Sequence, residues 1–321
     1  MSSNPKISVI SGYYNRENNV DESIQSVLDQ SFTDFELIVF DDCSKDNTYQ
    51  KLKAFADKDE RVKLVRPDKN KGFVNGMIDA VNMAKGKYIA VHGSGDLSLK
   101  ERLAKQYEYL ENNPQIPMVS SFYANKDADN SVYKVFKADP VLERSLFLRH
   151  NPLSQGGVLF RKDVYHKAGG YRSIFKYSQD RDLWLRISKF GNIAVLQEVL
   201  YERMINYDGV SYKEDKLIDQ KKFSLFACKI NELSDKEQLE AEAKVKSSGI
   251  DSVINVNEPT IQRGIFKMFN VLFAKNKLNN TKIFIDNSRG LYKVYYQLMK
   301  SMYNNKTTRK LVNKVYKAYT K

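Results

Sequence analysis

Short apolar runs alternate with segments of helical periodicity through the first hundred residues of this chain. The runs have strand length and lie at residues 6–12, 35–42, 62–65 and 87–91. Between them, apolar residues recur three or four positions apart, as on one face of an amphipathic helix. Strand–helix–strand units of this length connect parallel strands. The alternation therefore predicts an α/β fold, with a mainly parallel, twisted sheet and helices on both faces.

The pattern changes in the second third of the chain. From about residue 117 the candidate strands are shorter, and a helix that begins near Asp180 interrupts them. After Tyr212 the sequence has helical periodicity throughout. We therefore expect one domain over residues 1–212 and a helical extension over residues 213–321.

The positive charge of the chain lies in its tail. Residues 260–321 hold 14 Lys and Arg against one acid, which accounts for the whole net charge of +13, whereas the first 259 residues hold 38 basic and 38 acidic residues. The tail also contains three amphipathic segments, with the following apolar faces: Ile265, Phe266, Phe269, Leu272 and Phe273; Leu291, Val294, Tyr295, Leu298 and Met302; Leu311, Val312, Val315, Tyr316 and Tyr319.

Three roles for this basic, helical tail stay open. Its segments pack on each other and on the first domain, as amphipathic helices usually do, or they bind an anionic membrane surface, or they form a homo-oligomer. Nucleic acid is not an expected partner, because the first domain is neutral and carries no recognised motif.

The cysteine content and the hydropathy indicate the cellular compartment of the protein. Cys43 and Cys228 are the two cysteines, too few for a disulfide framework or a zinc site. No apolar run approaches the roughly 20 residues of a membrane-spanning helix, and the start of the chain does not resemble a signal peptide. We therefore expect a cytoplasmic protein, either free or peripheral at the inner face of the membrane.

Acidic residues follow the predicted strands at three places. Asp41 and Asp42 end the second strand, Asp96 follows the fourth, and Asp180 and Asp182 lie at the start of a helix. In an open α/β sheet, ligands bind in the crevice at the carboxyl ends of the strands. The sequence therefore predicts that these acids gather at one ligand-binding edge.

Four blocks of this sequence resemble the family-2 inverting glycosyltransferases. They lie at residues 7–48 (ISVISGYYN to SKDNT), 70–96 (NKGF, AKGKYIAV, GD), 154–171 (SQGGVLFRKDVYHKAGGY) and 178–188 (SQDRDLWLRIS). The resemblance implies a nucleotide-diphospho-sugar transferase (GT-A-type) fold for residues 1–212. It also implies transfer of a sugar from a nucleoside-diphosphate donor, a UDP-sugar, to a glycan or lipid-linked acceptor in surface polysaccharide synthesis.

Two other functions remain alternatives. The first is a sugar-nucleotide-binding or scaffold protein of the same fold that does not turn over its ligand. The second is a nucleotidyltransferase, which would need a glycine-rich loop bearing Arg or Lys after the first strand. The segment GYYNREN at residues 12–18 does not have that composition.

The resemblance assigns the donor site to residues at the ends of the first strands. Asp42 would accept the N–H of a uracil-type base, with backbone and ring contacts from its neighbours, or it would only cap the turn after its strand. The residues expected to bind the donor are Gly12, Tyr13, Tyr14, Asp42, Asn70, Ser94, Gly95, Asp96 and Arg203.

Asp180 is the candidate catalytic base. Inverting transfer needs one carboxylate that removes the proton of the attacking acceptor hydroxyl, and a partly apolar pocket would raise its pKa toward neutrality. Trp184, four residues on, shares a helix face with Asp180. The alternative is that Asp180 is a helix N-cap and Trp184 a core residue, and we expect Asp182 to be structural.

The loop at residues 93–96 departs from the family pattern. Family members carry Asp-x-Asp here to hold Mg²⁺ or Mn²⁺ against the donor diphosphate, whereas Gly93 and Gly95 stand in place of the acids. Three interpretations stay open: Asp96 holds a metal alone or through water, the transfer needs no metal, or the chain binds without turnover. In the second, the glycine N–H groups would form an anion-binding nest with Ser94.

Arg203 is expected near the donor phosphates. Without a metal it would be a counter-charge for the diphosphate. The alternative is a surface ion pair with Glu202 or Asp208.

Overall fold

The structure is a computed structural model that describes residues 4–126, 131–205, 214–274 and 281–303. The chain divides into two compact units, Met1–Asn206 and Tyr207–Lys321. The division lies close to the boundary expected at residue 212.

A ten-stranded sheet forms the centre of the first unit. Its strands are β1 Ile7–Tyr13, β2 Phe35–Asp41, β3 Val62–Val65, β4 Tyr88–Val91, β5 Leu97–Ser98, β6 Met118–Lys126, β7 Val132–Phe136, β8 Val141–Leu142, β9 Leu159–Arg161 and β10 Ile193–Met204. The helices described in this unit are α1 Val20–Leu28, α2 Thr48–Ala56, α3 Phe73–Met83, α4 Arg102–Asn112, α5 Arg144–Arg149, α6 Lys162–Lys167 and α7 Gln179–Ile187.

The strand order is β3-β2-β1-β4-β9-β6-β10-β5, with β7 on β6 and β8 on β10. The pairs β1–β2, β2–β3, β1–β4 and β6–β10 are parallel, and β9 runs antiparallel between β4 and β6. The α/β prediction is therefore confirmed, with β5, β7, β8 and β9 as antiparallel additions.

The order of the first four strands creates a switch point. The chain moves outward from β1 to β2 and β3, then returns to place β4 on the other side of β1. At such a point, the loops after the two central strands diverge and leave a crevice. The loops that follow Tyr13 and Val91 therefore border the expected ligand site.

Apolar side chains fix this sheet between its helices. Every residue of β1, β2 and β4 is buried, and α1 adds Val20, Ile24 and Val27 to the same core. Burial of each such side chain contributes about 1.5–3 kcal/mol. These strands are rich in Val and Ile because both of their faces are covered.

The described part of the second unit is helical. Its α-helices are α8 Glu214–Ile230, α9 Asp235–Ser248, α10 Pro259–Ala274, α11 Thr281–Asp286 and α12 Gly290–Tyr303. A capping box between Ser234 and Glu237 starts α9.

The apolar faces of α10 and α12 pack against each other. The rings of Phe269 and Tyr296 lie 4.6 Å apart, and Phe284 of α11 lies 5.0 Å from Phe269. One prediction for the α12 face was wrong: Val294 is exposed, whereas Tyr296 and Met299 are buried. The third predicted segment, at residues 311–319, lies outside the described residues.

None of the helices described here has the length and apolar content that a membrane span requires.

Candidate active site

Asp96 is held in the loop between β4 and β5. One carboxylate oxygen accepts a 2.6 Å hydrogen bond from the Tyr201 hydroxyl, and the other accepts the N–H of Met204 at 3.1 Å. Burial raises the pKa of Asp96, and the Tyr201 hydroxyl and the positive charges of Arg203 and Arg16 offset part of that rise. Asp96 therefore anchors this loop to the end of β10.

Gly93 and Gly95 give the loop its shape. A Cβ at Gly93 would lie 2.3 Å from a carboxylate oxygen of Asp96, and Gly95 has a φ of +94° with Asn19 beside it. The Gly93 N–H donates to the Tyr201 hydroxyl and the Gly95 N–H donates to Ser23 Oγ. The expected anion nest is therefore not formed by these glycines, because their N–H groups already have partners.

The divalent cation implied by the family does not fit this loop. Asp96 is the one carboxylate of this loop, each of its oxygens already accepts a hydrogen bond, and the described residues contain no group of three His, Cys, Asp or Glu side chains that could hold a metal ion. A hard cation such as Mg²⁺ or Mn²⁺ needs carboxylate or similar oxygen ligands. The residues present do not supply them.

His92 and Arg102 form a buried polar layer behind the loop. The two ring nitrogens of His92 lie 3.0 and 3.1 Å from Ser23 Oγ and Ser98 Oγ, and burial lowers the pKa of His92 to about 3. Burial lowers the pKa of Arg102 to about 10, so it remains charged at neutral pH. Its guanidinium donates to the carbonyls of Val91 and Val158. His92 is therefore a neutral structural residue.

Asp42 fixes the loop that immediately precedes α3. Its two carboxylate oxygens accept the N–H groups of Lys71 and Gly72 at 2.7 and 2.9 Å, and Asn70 donates its amide to the Asp42 carbonyl. A carboxylate has about four acceptor positions, so Asp42 retains capacity for a base N–H. It lines a small cavity of about 90 Å³ with Lys71 and other residues.

The three expected residues at the end of β1 have different positions. Tyr14 is 46% exposed, so its ring is available for stacking. Tyr13 is 1% exposed; it donates to Ser23 Oγ, and its pKa is raised to about 12 by burial. Gly12 makes room for the ring of Phe40, which would lie 2.2 Å from an added Cβ. The ring contact expected of Tyr13 is therefore absent, because that ring is internal.

Asp180 lies in the first turn of α7, two residues after the N-cap Ser178. It is half-buried, and the Asn151 amide donates to one of its oxygens at 2.9 Å. Burial raises the pKa of Asp180, and the N–H groups of Arg181 and of Asp180 itself offset part of the rise. Asp180 is therefore a carboxylate with reduced acidity that remains partly open to solvent.

Trp184 and Asp182, also on α7, have structural roles. Trp184 is fully buried against Phe160, with ring centroids 6.0 Å apart, so it belongs to the core. Asp182 is fully buried and pairs with Arg186 at 2.6 Å, in agreement with the structural role expected of it.

The 3₁₀ turn Gln155–Gly157 connects the Asp96 loop with Asp180. The Gln155 amide donates to the Tyr171 hydroxyl, and its oxygen accepts from Gln179, the residue before Asp180. On the other side, a Cβ at Gly156 would lie 1.9 Å from the Tyr201 hydroxyl and 2.8 Å from the Gly93 nitrogen. The turn therefore brings the candidate base and the switch-point loop into one site.

Arg203, Ser94 and Arg16 have polar groups that are not engaged by the described residues. Arg203 and Ser94 are half-buried, and neither side chain makes a hydrogen bond or ion pair within the described ranges. The same holds for the guanidinium of Arg16, whose backbone N–H donates to Thr48. Glu202 pairs with Lys126, so it is not the partner of Arg203, and Asp208 lies outside the described residues.

Sequence reasoning missed several residues that shape the site. They are Tyr201, Arg102, Ser23, Asn151, Gln155 and Arg16. Each acts through contacts with residues distant in the chain, as in the pair Tyr201–Asp96, so no local motif indicates it.

The chain is similar to known proteins both in sequence and in fold. The sequence profile "Glycosyl transferase family 2" matches residues 8–177. The putative glycosyltransferase EpsE of Bacillus subtilis is 35% identical over 217 residues, which are 66% of this chain and 77% of EpsE. The Escherichia coli protein WfgD, named as a UDP-Glc:α-D-GlcNAc-diphosphoundecaprenol β-1,3-glucosyltransferase, is 30% identical over 193 residues, which are 59% of this chain and 72% of WfgD.

The fold is shared with solved structures, including the following two. The S. aureus TarS 1–349 structure in complex with UDP-GlcNAc aligns with a TM-score of 0.55 and 15% identity, over 98% of this chain and 92% of TarS 1–349. The mannosyltransferase PcManGT of Pyrobaculum calidifontis, solved with GDP-Man and Mn²⁺, aligns with a TM-score of 0.54 and 15% identity, over 98% of this chain and 85% of that one.

Proposed function

Because the chain belongs to glycosyl transferase family 2, we propose that it is an inverting glycosyltransferase in surface polysaccharide synthesis. It takes a sugar from a nucleoside-diphosphate donor, a UDP-sugar in our proposal, and adds it to a hydroxyl of a glycan or lipid-linked acceptor. The names of relatives support this class: WfgD acts with UDP-Glc on a diphosphoundecaprenol-linked sugar, and WbnJ of Escherichia coli is named an O-antigen biosynthesis glycosyltransferase.

The observation that carries the proposal is the environment of Asp180. A general base works best when its pKa lies near the working pH, and burial moves the pKa of Asp180 upward. The Asn151 amide fixes the direction of the carboxylate, and the half-buried position leaves it open to an acceptor.

The proposed reaction is a single in-line displacement. The acceptor oxygen attacks the anomeric carbon while the bond from that carbon to the donor phosphate oxygen breaks. Asp180 takes the acceptor proton, and the bonding electron pair leaves with the nucleoside diphosphate. Configuration at the anomeric carbon is inverted because attack and departure occur on opposite faces of the sugar.

The donor would lie across the switch point between β1 and β4. Asp42 would accept a base N–H, and Tyr14 would stack on the base as the exposed ring at the end of β1. The side-chain amide of Asn70 donates a hydrogen bond to the backbone carbonyl of Asp42 and so supports that residue. Ser94 and Arg203 would face the ribose and diphosphate, since Ser94 lies in the Asp96 loop and Arg203 borders it.

The variant Asp180→Asn tests this proposal. We expect a loss of transfer of at least about 100-fold, because general-base catalysis contributes roughly 10²–10⁴-fold, with unchanged donor affinity. Release of nucleoside diphosphate can be followed with UDP-, GDP-, CDP- and dTDP-sugars and a diphosphoundecaprenol-linked GlcNAc acceptor. Donor affinity is measured by calorimetry on the same preparations.

Asp163→Asn is the matched control. Asp163 is also an acid in the first turn of a short helix, but it is exposed and forms an ion pair with Lys167. Transfer should be unaffected in this variant. Full turnover by Asp180→Asn would remove Asp180 from the role of base, and retained configuration in the product would overturn the inverting mechanism.

A further inference from the structure

The conformation of the loop at residues 93–96 does not accommodate the two acids of an Asp-x-Asp motif. An acid at position 93 would meet the Asp96 carboxylate, because even its Cβ would lie 2.3 Å from Oδ2. An acid at position 95 would need the strained φ of +94° that Gly95 adopts. The loop conformation therefore requires glycine at both positions, and the Asp96 carboxylate accepts hydrogen bonds from the Tyr201 hydroxyl and the Met204 N–H.

Positive charge exceeds negative charge around this loop. Arg102 lies fully buried behind it with its guanidinium 5.0 Å from the Tyr201 ring centroid, and Arg16 and Arg203 act on Asp96 from two other elements. Asp96 is the one acid in this group. These four side chains, three guanidiniums and one carboxylate, together carry a net charge of +2 beside the crevice.

The position of Arg203 follows from strand register. Glu202 pairs with Leu97 in the antiparallel ladder between β10 and β5, so one step further Arg203 comes opposite Asp96. Side chains alternate along a strand, so Arg203 lies on the same face as Tyr201, whose hydroxyl reaches Gly93 and Asp96. No ion pair between Arg203 and Asp96 forms within 4 Å, which leaves the guanidinium able to bind an anion.

Arg16 approaches the same loop from the end of β1. Its backbone is tied to Thr48 Oγ1 at 2.7 Å, and the turn that follows it places Asn19 against Gly95. Arg16 therefore lies in the other loop that borders the switch point. A diphosphate in the crevice would have one arginine on each side.

We propose that Arg16 and Arg203 together neutralise the donor diphosphate in place of a divalent cation, so that donor binding and transfer do not require a metal. Arginine suits this task because its planar guanidinium donates two parallel hydrogen bonds to phosphate oxygens. As the bond to the anomeric carbon breaks, the two guanidiniums stabilise the negative charge that develops on the leaving nucleoside diphosphate. This inference rests on the proposed transferase function.

Calorimetry on the full chain tests the inference. UDP, GDP, CDP and dTDP, and the matching nucleosides, are titrated once with EDTA and once with Mn²⁺. We expect one diphosphate to bind in EDTA more tightly than its nucleoside, with little change on addition of Mn²⁺. Arg16→Gln and Arg203→Gln should each weaken the diphosphate about 10- to 100-fold and leave the nucleoside unaffected.

The controls separate charge from folding. Arg149→Gln removes the same charge from an exposed position at the end of α5 and should change neither affinity. Arg16→Lys and Arg203→Lys keep the charge and should lose only part of the diphosphate affinity, which excludes unfolding as the cause of the larger loss.

The outcomes distinguish this inference from the function on which it rests. Diphosphate binding that requires Mn²⁺, or that survives both Gln substitutions together, would overturn the two-arginine site and leave the transferase proposal standing. No binding of any diphosphate in either condition would count against the transferase proposal itself, and the inference would fail with it.

Discussion

Three non-glycine residues with positive φ lie in loops of the candidate site. Asn15 follows β1, Cys43 follows β2 and Ser178 precedes α7, with φ of 51°, 64° and 56°. The left-handed region costs about 1–2 kcal/mol for residues with a Cβ. Local hydrogen bonds compensate, such as those from the Asn15 N–H to Ser44 Oγ and from the Cys43 N–H to the Asp41 carbonyl. At the scale of single residues, the site therefore concentrates backbone strain.

Asp180 adds an electrostatic cost to this strain. The pKa of Asp180 is raised in the folded state, so folding favours the protonated form of this side chain. The contribution of the protonated form to folding stability is fully present below the unfolded pKa, near 3.8. It is lost as the pH rises through the folded pKa. We expect Asp180→Asn to unfold at a higher temperature than the parent chain at pH 7. The difference should shrink toward zero as the pH falls below about 4.

Thermal melts of both chains across this pH range measure the effect. A gain of 1 kcal/mol corresponds to roughly 2–4 °C for a domain of this size. Equal melting temperatures at pH 7 would show that burial of this carboxylate has no cost in the folded protein.

At the scale of elements, the Phe40 ring determines how closely β1, β2 and α3 pack. A Cβ at Gly12 of β1 would lie 2.2 Å from the ring, and a Cβ at Gly76 of α3 would lie 2.3 Å from it. The ring also lies 6.1 Å from that of Phe73. Two glycines in different elements therefore accommodate one aromatic side chain beside the Asp42 loop.

Substitution of Gly12 tests this packing. We expect Gly12→Ala to destabilise the chain by about 1–3 kcal/mol, the usual range for overpacking a core. The double variant Gly12→Ala, Phe40→Leu should recover part of the loss, because the smaller side chain leaves room for the methyl group. Denaturant unfolding measures both.

Gly264→Ala provides the comparison for this test. The atoms nearest to its Cβ would belong to the flexible side chain of Lys221, at 3.0 Å and beyond, and alanine favours a helix interior. It should be neutral or stabilising. If Gly12→Ala proved equally harmless, the ring of Phe40 would not be fixed in its place.

At the scale of the whole molecule, the net charge and the candidate site belong to different parts of the chain. Residues 260–321 carry the net charge of +13, and the candidate site lies in the first unit. The apolar faces of α10 and α12 bury each other through aromatic contacts. An attraction to membranes by these helices would therefore rest on their Lys and Arg residues and not on insertion of those faces.

Vesicle sedimentation tests such an attraction. We expect the full chain to sediment with vesicles that contain phosphatidylglycerol at low salt and to be released by high salt, because surface charges are screened. Deletion of residues 304–321 removes six Lys and Arg and takes the net charge from +13 to +7, and it should reduce the bound fraction.

A charge-retaining variant separates the two contributions to binding. Replacement of Leu311, Val312 and Val315 by Ser keeps every charge, and binding should persist if electrostatics dominates. Equal sedimentation of the full chain and the deletion would rule out a membrane role for this segment.

Local sequence patterns determined the fold class, most strand positions and the position of Asp180 in the first turn of a helix. Strand periodicity and helix spacing depend on neighbours within a few residues, so a sequence displays them directly. The four blocks of family resemblance likewise depend on order and spacing along the chain. The departure from the Asp-x-Asp pattern at Gly93 and Gly95 can likewise be read from the sequence, because it also depends only on position within a motif.

Only the tertiary structure decided where the side chains of Asp96, Tyr13, Trp184 and Arg203 lie and what they contact. Asp96 is bound by Tyr201 and Met204, more than a hundred residues away, and Tyr13 turns its ring inward to Ser23. The antiparallel step from Leu97 to Glu202 places Arg203 opposite Asp96. Such partners are set by strand order and register across the sheet, and these depend on how the whole core packs.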